Sequence, residues 1–151
     1  MKAVVQRVKE ASVTVEGKIT ADIKNGLLIL LGVEAGDDET DAKALALKLS
    51  GLRIFSDDND KMNLSVGDIG GAAIVVSNFT LCADCRKGRR PNFENAELPE
   101  RANALYEFFC ACLAQNKVPV KKGVFGAHMT VDIKNDGPVT FIVNSKELSR
   151  C

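Results

Sequence analysis

Two short stretches carry residues whose types and spacing suit bond cleavage. The first, Ser77-Asn78-Phe79-Thr80-Leu81, closes an apolar run over residues 72–76. A strand end that presents hydroxyls and free backbone N–H groups can stabilise an oxyanion. Ser and Thr also end many strands with no catalytic role, so this stretch alone decides nothing. The second is Asn135-Asp136-Gly137-Pro138-Val139-Thr140. Its Asn-Asp-Gly is ordinary turn chemistry. Its Pro138 is less ordinary, because proline cannot donate to a ladder and belongs at a strand start or edge.

The better-known catalytic sets are missing. No G-x-S-x-G elbow and no P-loop Lys-Ser/Thr occurs. The single histidine, His128, precedes an expected strand and has no evident acidic partner, so a structural or surface role is expected for it rather than that of a general base. Cys82-Ala83-Asp84-Cys85 is a C-x-x-C pair, and Cys110-Ala111-Cys112 is a close pair. A structural zinc site needs four ligands, and side chains two apart on a helix diverge by about 200°. Redox C-x-x-C pairs sit at helix N-termini, whereas this one follows a strand. The cysteines are expected to be reduced bystanders, with Cys151 frayed and exposed. No metal and no cofactor is expected.

Elements must then position the two stretches. At 151 residues the chain is long enough for one domain, 1–151, with a core that needs no staple. Its 20 basic and 20 acidic residues cancel, so any polyanion must be held by a local patch. No signal-like segment is present, and the longest apolar run, residues 26–33, is far short of a membrane span. The odd cysteine count agrees with a cytoplasmic location.

Strands are expected over residues 3–8, 11–15 and 19–23, then over the unbroken apolar stretch 27–33, whose two faces should both be covered. Helical spacing of Ala42, Leu45, Ala46, Leu49 and Leu52 predicts a first helix, with Thr40 as its cap. A second helix should start near Pro99 and bury Ala102, Leu105, Phe109, Cys112 and Leu113. Arg53-Ile54-Phe55 reads as a short strand. Residues 129–143 read as a closing hairpin turning at Asn135-Asp136-Gly137. Arg86, Lys87, Arg89 and Arg90 form a basic loop, with Lys121 and Lys122 a smaller group. The fold class is α+β, with mainly antiparallel sheets in a barrel-like β/β/α arrangement and two main helices.

Taken together, the two stretches resemble the D-aminoacyl-tRNA deacylase family, also known as D-tyrosyl-tRNA(Tyr) deacylases. That family carries a Ser-Gln pair followed closely by Thr near mid-chain, and Asn-x-Gly-Pro-x-Thr near the C-terminus. Here Ser77, Asn78 and Thr80 match the first, and Asn135, Gly137, Pro138 and Thr140 the second. Gln6-Arg7-Val8, Gly26-Leu27-Leu28, Lys61-Met62-Asn63-Leu64 and Arg90-Pro91-x-Phe93 look like the family as well, so the likeness runs through nearly the whole chain. One departure is Asn78, where the family has Gln.

The resemblance implies a hydrolase of the ester in D-aminoacyl-tRNA and in mischarged glycyl-tRNA. It implies a homodimer with the aminoacylated tRNA 3′ end as partner, and no membrane or DNA partner. Ser77, Asn78, Phe79 and Thr80 would form the catalytic stretch. Gly137 and Pro138, joined by a cis bond, would enter the partner subunit's site and exclude L side chains, with Arg7 positioning them. Selection by clash is physically sensible, since a small pocket discriminates poorly by attraction alone. An aminoacyl ester is already activated, so oriented water, the ribose 2′-OH and backbone N–H groups near Phe79 and Thr80 can suffice. Thr80 as a nucleophile is the alternative, although no adjacent base is visible. Arg86, Lys87, Arg89 and Arg90 would contact phosphates. No aromatic-rich platform for single strands is apparent.

Other readings stay open on sequence. One is a non-catalytic RNA-binding module built on the basic loop. Another is a C-x-x-C redox or zinc protein. A third is the related deacylase that clears mischarged L-alanine, from which Ser77 and Phe79 point away.

Overall fold

Strand β1 (Lys2–Val15) is the spine of the computed structural model, which describes residues 1–148. The two strands expected at 3–8 and 11–15 are one, because ladder partners run past the polar Lys9-Glu10 between them. Its first half pairs antiparallel with β3 (Gly26–Gly32), its second half with β2 (Lys18–Ile23), and its other edge with β8 (Thr130–Asn144). Beyond β3 lie β6 (Ala72–Ser77) and β7 (Val120–Lys122), and both of these pairings are parallel. Short strands β4 (Phe55–Ser56) and β5 (Met62–Leu64) form a separate ribbon.

Alternation along β3 and β6 separates two cores. Leu27, Ile29, Leu31, Ala73 and Val75 point to the larger, which the helices α1 (Glu39–Ser50) and α2 (Pro99–Gln115) cover. Leu28, Ile74 and Val76 point to the smaller, closed by Val8, Ala11 and Val13 of β1 and Ala21 and Ile23 of β2. The sheet therefore curls over its second core, giving the expected α+β architecture with two helices and a nearly closed, barrel-like sheet. Both faces of β3 are covered, which is why that segment has no polar residue.

Helix α1 is capped by Asp38, not by Thr40. The Asp38 carboxylate accepts the N–H groups of Thr40 and Asp41, and Asp41 reaches back to the Asp38 N–H, closing a capping box. Helix α2 begins at Pro99 as expected, and the buried Tyr106 hydroxyl on it donates to the Val75 carbonyl at 2.8 Å. The start of β1 is fastened by a fully buried ion pair, Met1 ammonium to Asp37 carboxylate at 2.8 Å. No helix among the described residues is long and apolar enough to cross a membrane.

The expected C-terminal hairpin does not form. Residues 130–144 are one strand running along the whole of β1. Thr140 lies opposite Gln6 and Asn135 opposite Val8, so five steps on β8 match two on β1 and residues 136–139 bulge out. A proline with no N–H and Gly137 at φ +142 cannot hold ladder geometry, so the chain leaves and rejoins the same ladder. Turn residues alone do not say whether the chain reverses. Here both flanks find long-range partners in β1, and these decide. The Gly137–Pro138 peptide is cis.

Gly26 sets how closely β3 and β6 approach: an added Cβ would lie 1.9 Å from the Ala72 carbonyl oxygen. That obstacle is backbone and cannot swing aside. Gly26→Ala is therefore expected to lower stability by about 3 kcal/mol or more, read as a fall in the urea midpoint. A midpoint equal to wild type would mean the strands do not approach this closely.

Candidate functional site

Strand β6 delivers Ser77 to the edge of the sheet, and the Asn78 N–H donates to the Leu31 carbonyl at 2.8 Å, extending the β3 pairing by one residue. The chain then winds into a short 3-10 turn, Phe79–Cys82. Asn78 caps it. Its Oδ1 accepts the Thr80 N–H at 3.3 Å and also the Thr80 hydroxyl. Capping engages one of the orphan donors that begin any helical turn. The Phe79 N–H has no acceptor among the described residues, and Phe79 is one of the residues lining a cavity of about 640 Å³. Leu30, Val76 and Val131 give the cavity apolar lining, while Ser77 to Thr80 form its polar wall.

The Thr80 proton goes to an amide oxygen, which is not a base. His128 is exposed at the cavity, where sequence did not place it, and it has no hydrogen bond or ion pair among the described residues. No Ser-His-Asp relay is assembled here. What the wall offers is a free backbone donor, a braced hydroxyl and an apolar pocket, which is equipment for holding a polar carbonyl whose charge builds up in reaction.

The second stretch is built differently. Arg7, like Lys9, has no partner in the β1–β8 ladder, and its guanidinium reaches across the gap to Asp136. Its Nε donates to the Asp136 carbonyl at 3.1 Å and pairs with the Asp136 carboxylate at 3.2 Å, while Nη1 donates to the Ile54 carbonyl at 2.7 Å. Asn135 closes the base of the bulge, its Nδ2 donating to the carbonyls of Arg7 at 2.8 Å and Val139 at 3.0 Å. Gln6 donates to the Thr140 hydroxyl. Gly137 and Pro138 are thus held at the tip of a fastened loop. They do not line the cavity at Ser77 to Thr80, so one chain does not unite the two stretches. Asn135 and Gln6 were missed as positioning residues, because Asn in a turn and Gln in a strand carry no signal of their own.

The basic loop is closed by backbone hydrogen bonds between Asp84 and Asn92 at 2.8 and 3.0 Å. Arg86 is engaged by Asp84 through Nε at 2.9 Å and Nη2 at 2.6 Å, and this holds the Asp84 carboxyl at about 2, below its ordinary 3.8. Lys87, Arg89 and Arg90 are exposed and have no ion pair among the described residues. Lys121 and Lys122 are paired with Asp22 and Glu107. Cys82 is buried with its thiol pushed up by desolvation, whereas Cys85 is exposed. Cys110 is buried on α2, and burial pushes it up to about 12. Cys151 lies outside the described residues. Among those described, no group of three or more His, Cys, Asp or Glu is arranged to hold a metal.

A family model described as D-Tyr-tRNA(Tyr) deacylase matches residues 4–144. A D-aminoacyl-tRNA deacylase of Koribacter versatilis (strain Ellin345) is 55% identical over 147 residues, which is 97% of this chain and 99% of the relative. One of Persephonella marina (strain DSM 14350 / EX-H1) is 57% identical over 148 residues, 98% of this chain and all of the relative. Among solved structures, the c-Myc DNA Unwinding Element Binding Protein is 39% identical, with a TM-score of 0.89 over 95% of this chain and 98% of its own. A probable eukaryotic D-amino acid tRNA deacylase superposes with a TM-score of 0.79 over 95% of this chain and 98% of its own, at 15% identity, a likeness of fold alone.

Two outcomes follow from the fastenings. Asn135→Ala leaves two part-buried carbonyls short of a donor and is expected to lower stability by about 1 kcal/mol, read by urea denaturation; an unchanged midpoint would show that the bulge holds without its clip. The Asp84 carboxyl should titrate near 2 by NMR, and Arg86→Gln should return it towards 3.8. Because the folded value is depressed, its contribution is complete above 3.8 and is lost as pH falls towards 2.

Proposed function

The chain belongs to the D-Tyr-tRNA(Tyr) deacylase family, and on that premise we propose how it hydrolyses the ester linking a D-amino acid to tRNA and spares L-amino acids. The observation that carries the proposal is the free Phe79 N–H beside a Thr80 hydroxyl already engaged by Asn78. The ester carbonyl oxygen sits on the Phe79 N–H. Water adds to the carbonyl carbon, and the charge gathered on that oxygen stays on the same donor. The intermediate collapses, the bond to the ribose oxygen breaks, and that oxygen takes the proton given up by the attacking water, relayed by the neighbouring ribose hydroxyl. Free D-amino acid and tRNA with its terminal hydroxyls leave. The ester is activated by the neighbouring ribose 2′-OH, so positioning supplies most of what remains. Thr80 acts as a braced wall rather than as a nucleophile, since its proton has no base to go to. Ser77 and Asn78 hold the shape of this wall.

Selectivity comes from Gly137 and Pro138 of a second copy in a homodimer. Their placement outside the chain's own cavity supports this, because Gly137 and Pro138 do not reach Ser77 to Thr80 within one chain. An L side chain would meet their backbone, a D side chain points away, and glycine has nothing to exclude, so glycyl-tRNA is also a substrate. Arg7 and Asn135 keep the pair in place. Lys87, Arg89 and Arg90, with Arg86 partly engaged by Asp84, take tRNA phosphates. The enzyme works in the cytoplasm, where aminoacyl-tRNA is found.

The test is deacylation of matched D-tyrosyl-, L-tyrosyl- and glycyl-tRNA by the purified protein without added metal. Release from the D and glycyl substrates with the L substrate spared is expected. Equal release from D and L would sink exclusion, and intact esters with tRNA still bound would favour a non-catalytic RNA-binding module.

A further inference from the structure

The sequence shows no aromatic platform, yet folding builds a small one. Phe79 and Phe93, fourteen residues apart, meet edge to face with ring centroids 5.1 Å apart at 63°. Both rings stay unusually open for phenylalanine, 58% and 39% exposed. An edge-to-face pair leaves ring faces free, and free faces are what nucleobases stack on, at about 1–3 kcal/mol per base. Phe93 is not on a loose tip. Asn92 Oδ1 accepts the Glu94 N–H at 2.8 Å and the Phe93 carbonyl accepts the Ala96 N–H at 3.0 Å, so its backbone is pinned on both sides. Immediately before it comes the loop carrying Lys87, Arg89 and Arg90, the three cations there with no acidic partner among the described residues. Thus an open aromatic pair contains the residue that carries the Phe79 donor and, at Phe93, lies within a few residues of a run of unneutralised positive charge.

We propose that the Phe79–Phe93 edge and Lys87, Arg89 and Arg90 form one subsite for the unpaired nucleotides that precede the terminal adenosine of the tRNA. This rests on the deacylase reading and extends it. The rings take the bases and the loop takes the phosphates, so the strand is gripped before its ester reaches the Phe79 N–H. A single nucleoside ester would have no use for this grip.

The experiment compares two substrates, D-tyrosyl-tRNA and the D-tyrosyl ester of adenosine, across wild type, Phe93→Leu and Phe93→Trp. Leucine keeps apolar bulk and loses the ring face; tryptophan restores a face. Phe93→Leu should lower kcat/KM about tenfold on the tRNA, through KM, and less than about twofold on adenosine ester, with Phe93→Trp near wild type. Arg89→Gln should reduce the salt slope of tRNA binding by about one. Equal losses on both substrates, or none on the tRNA, would overturn the subsite. Binding of uncharged tRNA separates the two failures. Undiminished binding by Phe93→Leu overturns the subsite whatever turnover does. A wild type that binds tRNA through Phe93 yet releases no amino acid supports the subsite and overturns only the deacylase reading.

Discussion

One strand serves three ladders, and the loop carrying Gly137 and Pro138 is placed by that fact. Because β1 holds β2 and β3 on one edge and β8 along the other, the register of each is fixed against the rest. Slipping any of them by one residue would turn buried side chains to the opposite face. The widest irregularity in the β1–β8 ladder is the bulge over residues 136–139, and a side chain supplies hydrogen bonds there. Arg7 offers a planar fork of donors with a permanent charge, which a lysine would not reproduce. It satisfies carbonyls from both β8 and the segment leading into β4, so the loop is tied to two separate parts of the fold. A nearly buried guanidinium with acceptors on both sides stays put, and so does the loop it holds.

The other end of the site depends on backbone proximity. Gly26 lets β3 and β6 close, their parallel register runs to Leu31 opposite Ser77, and Asn78 adds one further hydrogen bond. The next peptide is where the 3-10 turn begins. Asn78 is where the family carries Gln, and the shorter amide folds back onto Thr80 two residues on. Side chains that close such short rings are ordinarily Asn, Asp, Ser or Thr. The amide oxygen of Asn78 is therefore engaged within the turn instead of reaching into the cavity.

Much of this was legible. The apolar run of β3, the helix stripe beginning at Pro99 and the charge-bearing loop at 86–90 each follow from local pattern. What failed were decisions that depend on distant partners. Asn135-Asp136-Gly137 is good turn chemistry in both a hairpin and a bulge, and only the presence of a full-length β1 separates the two. The cap of α1 moved from Thr40 to Asp38 because Asp41 could return the bond, a reciprocity that composition does not rank. Arg7 looked like any strand arginine, and its role was suggested by family resemblance alone. The Phe79–Phe93 contact and the position of His128 at the cavity come from tertiary closure and leave no periodic trace.

The ladder between β1 and β8 joins the two extremes of the described chain, with Lys2 opposite Asn144 and Ser145 bonded to Met1. During synthesis this has a temporal meaning. The first strand waits, one edge unsatisfied, until residues 130–144 are out, since sheets made of distant partners close slowly and late. Until then Arg7 has the Ile54 carbonyl to hold but not Asp136. A ribosome that stops short of β8 leaves a chain with a long open edge and no Gly137–Pro138 bulge, which is a candidate for aggregation and disposal. The sheet thus closes in one step, when β8 meets β1.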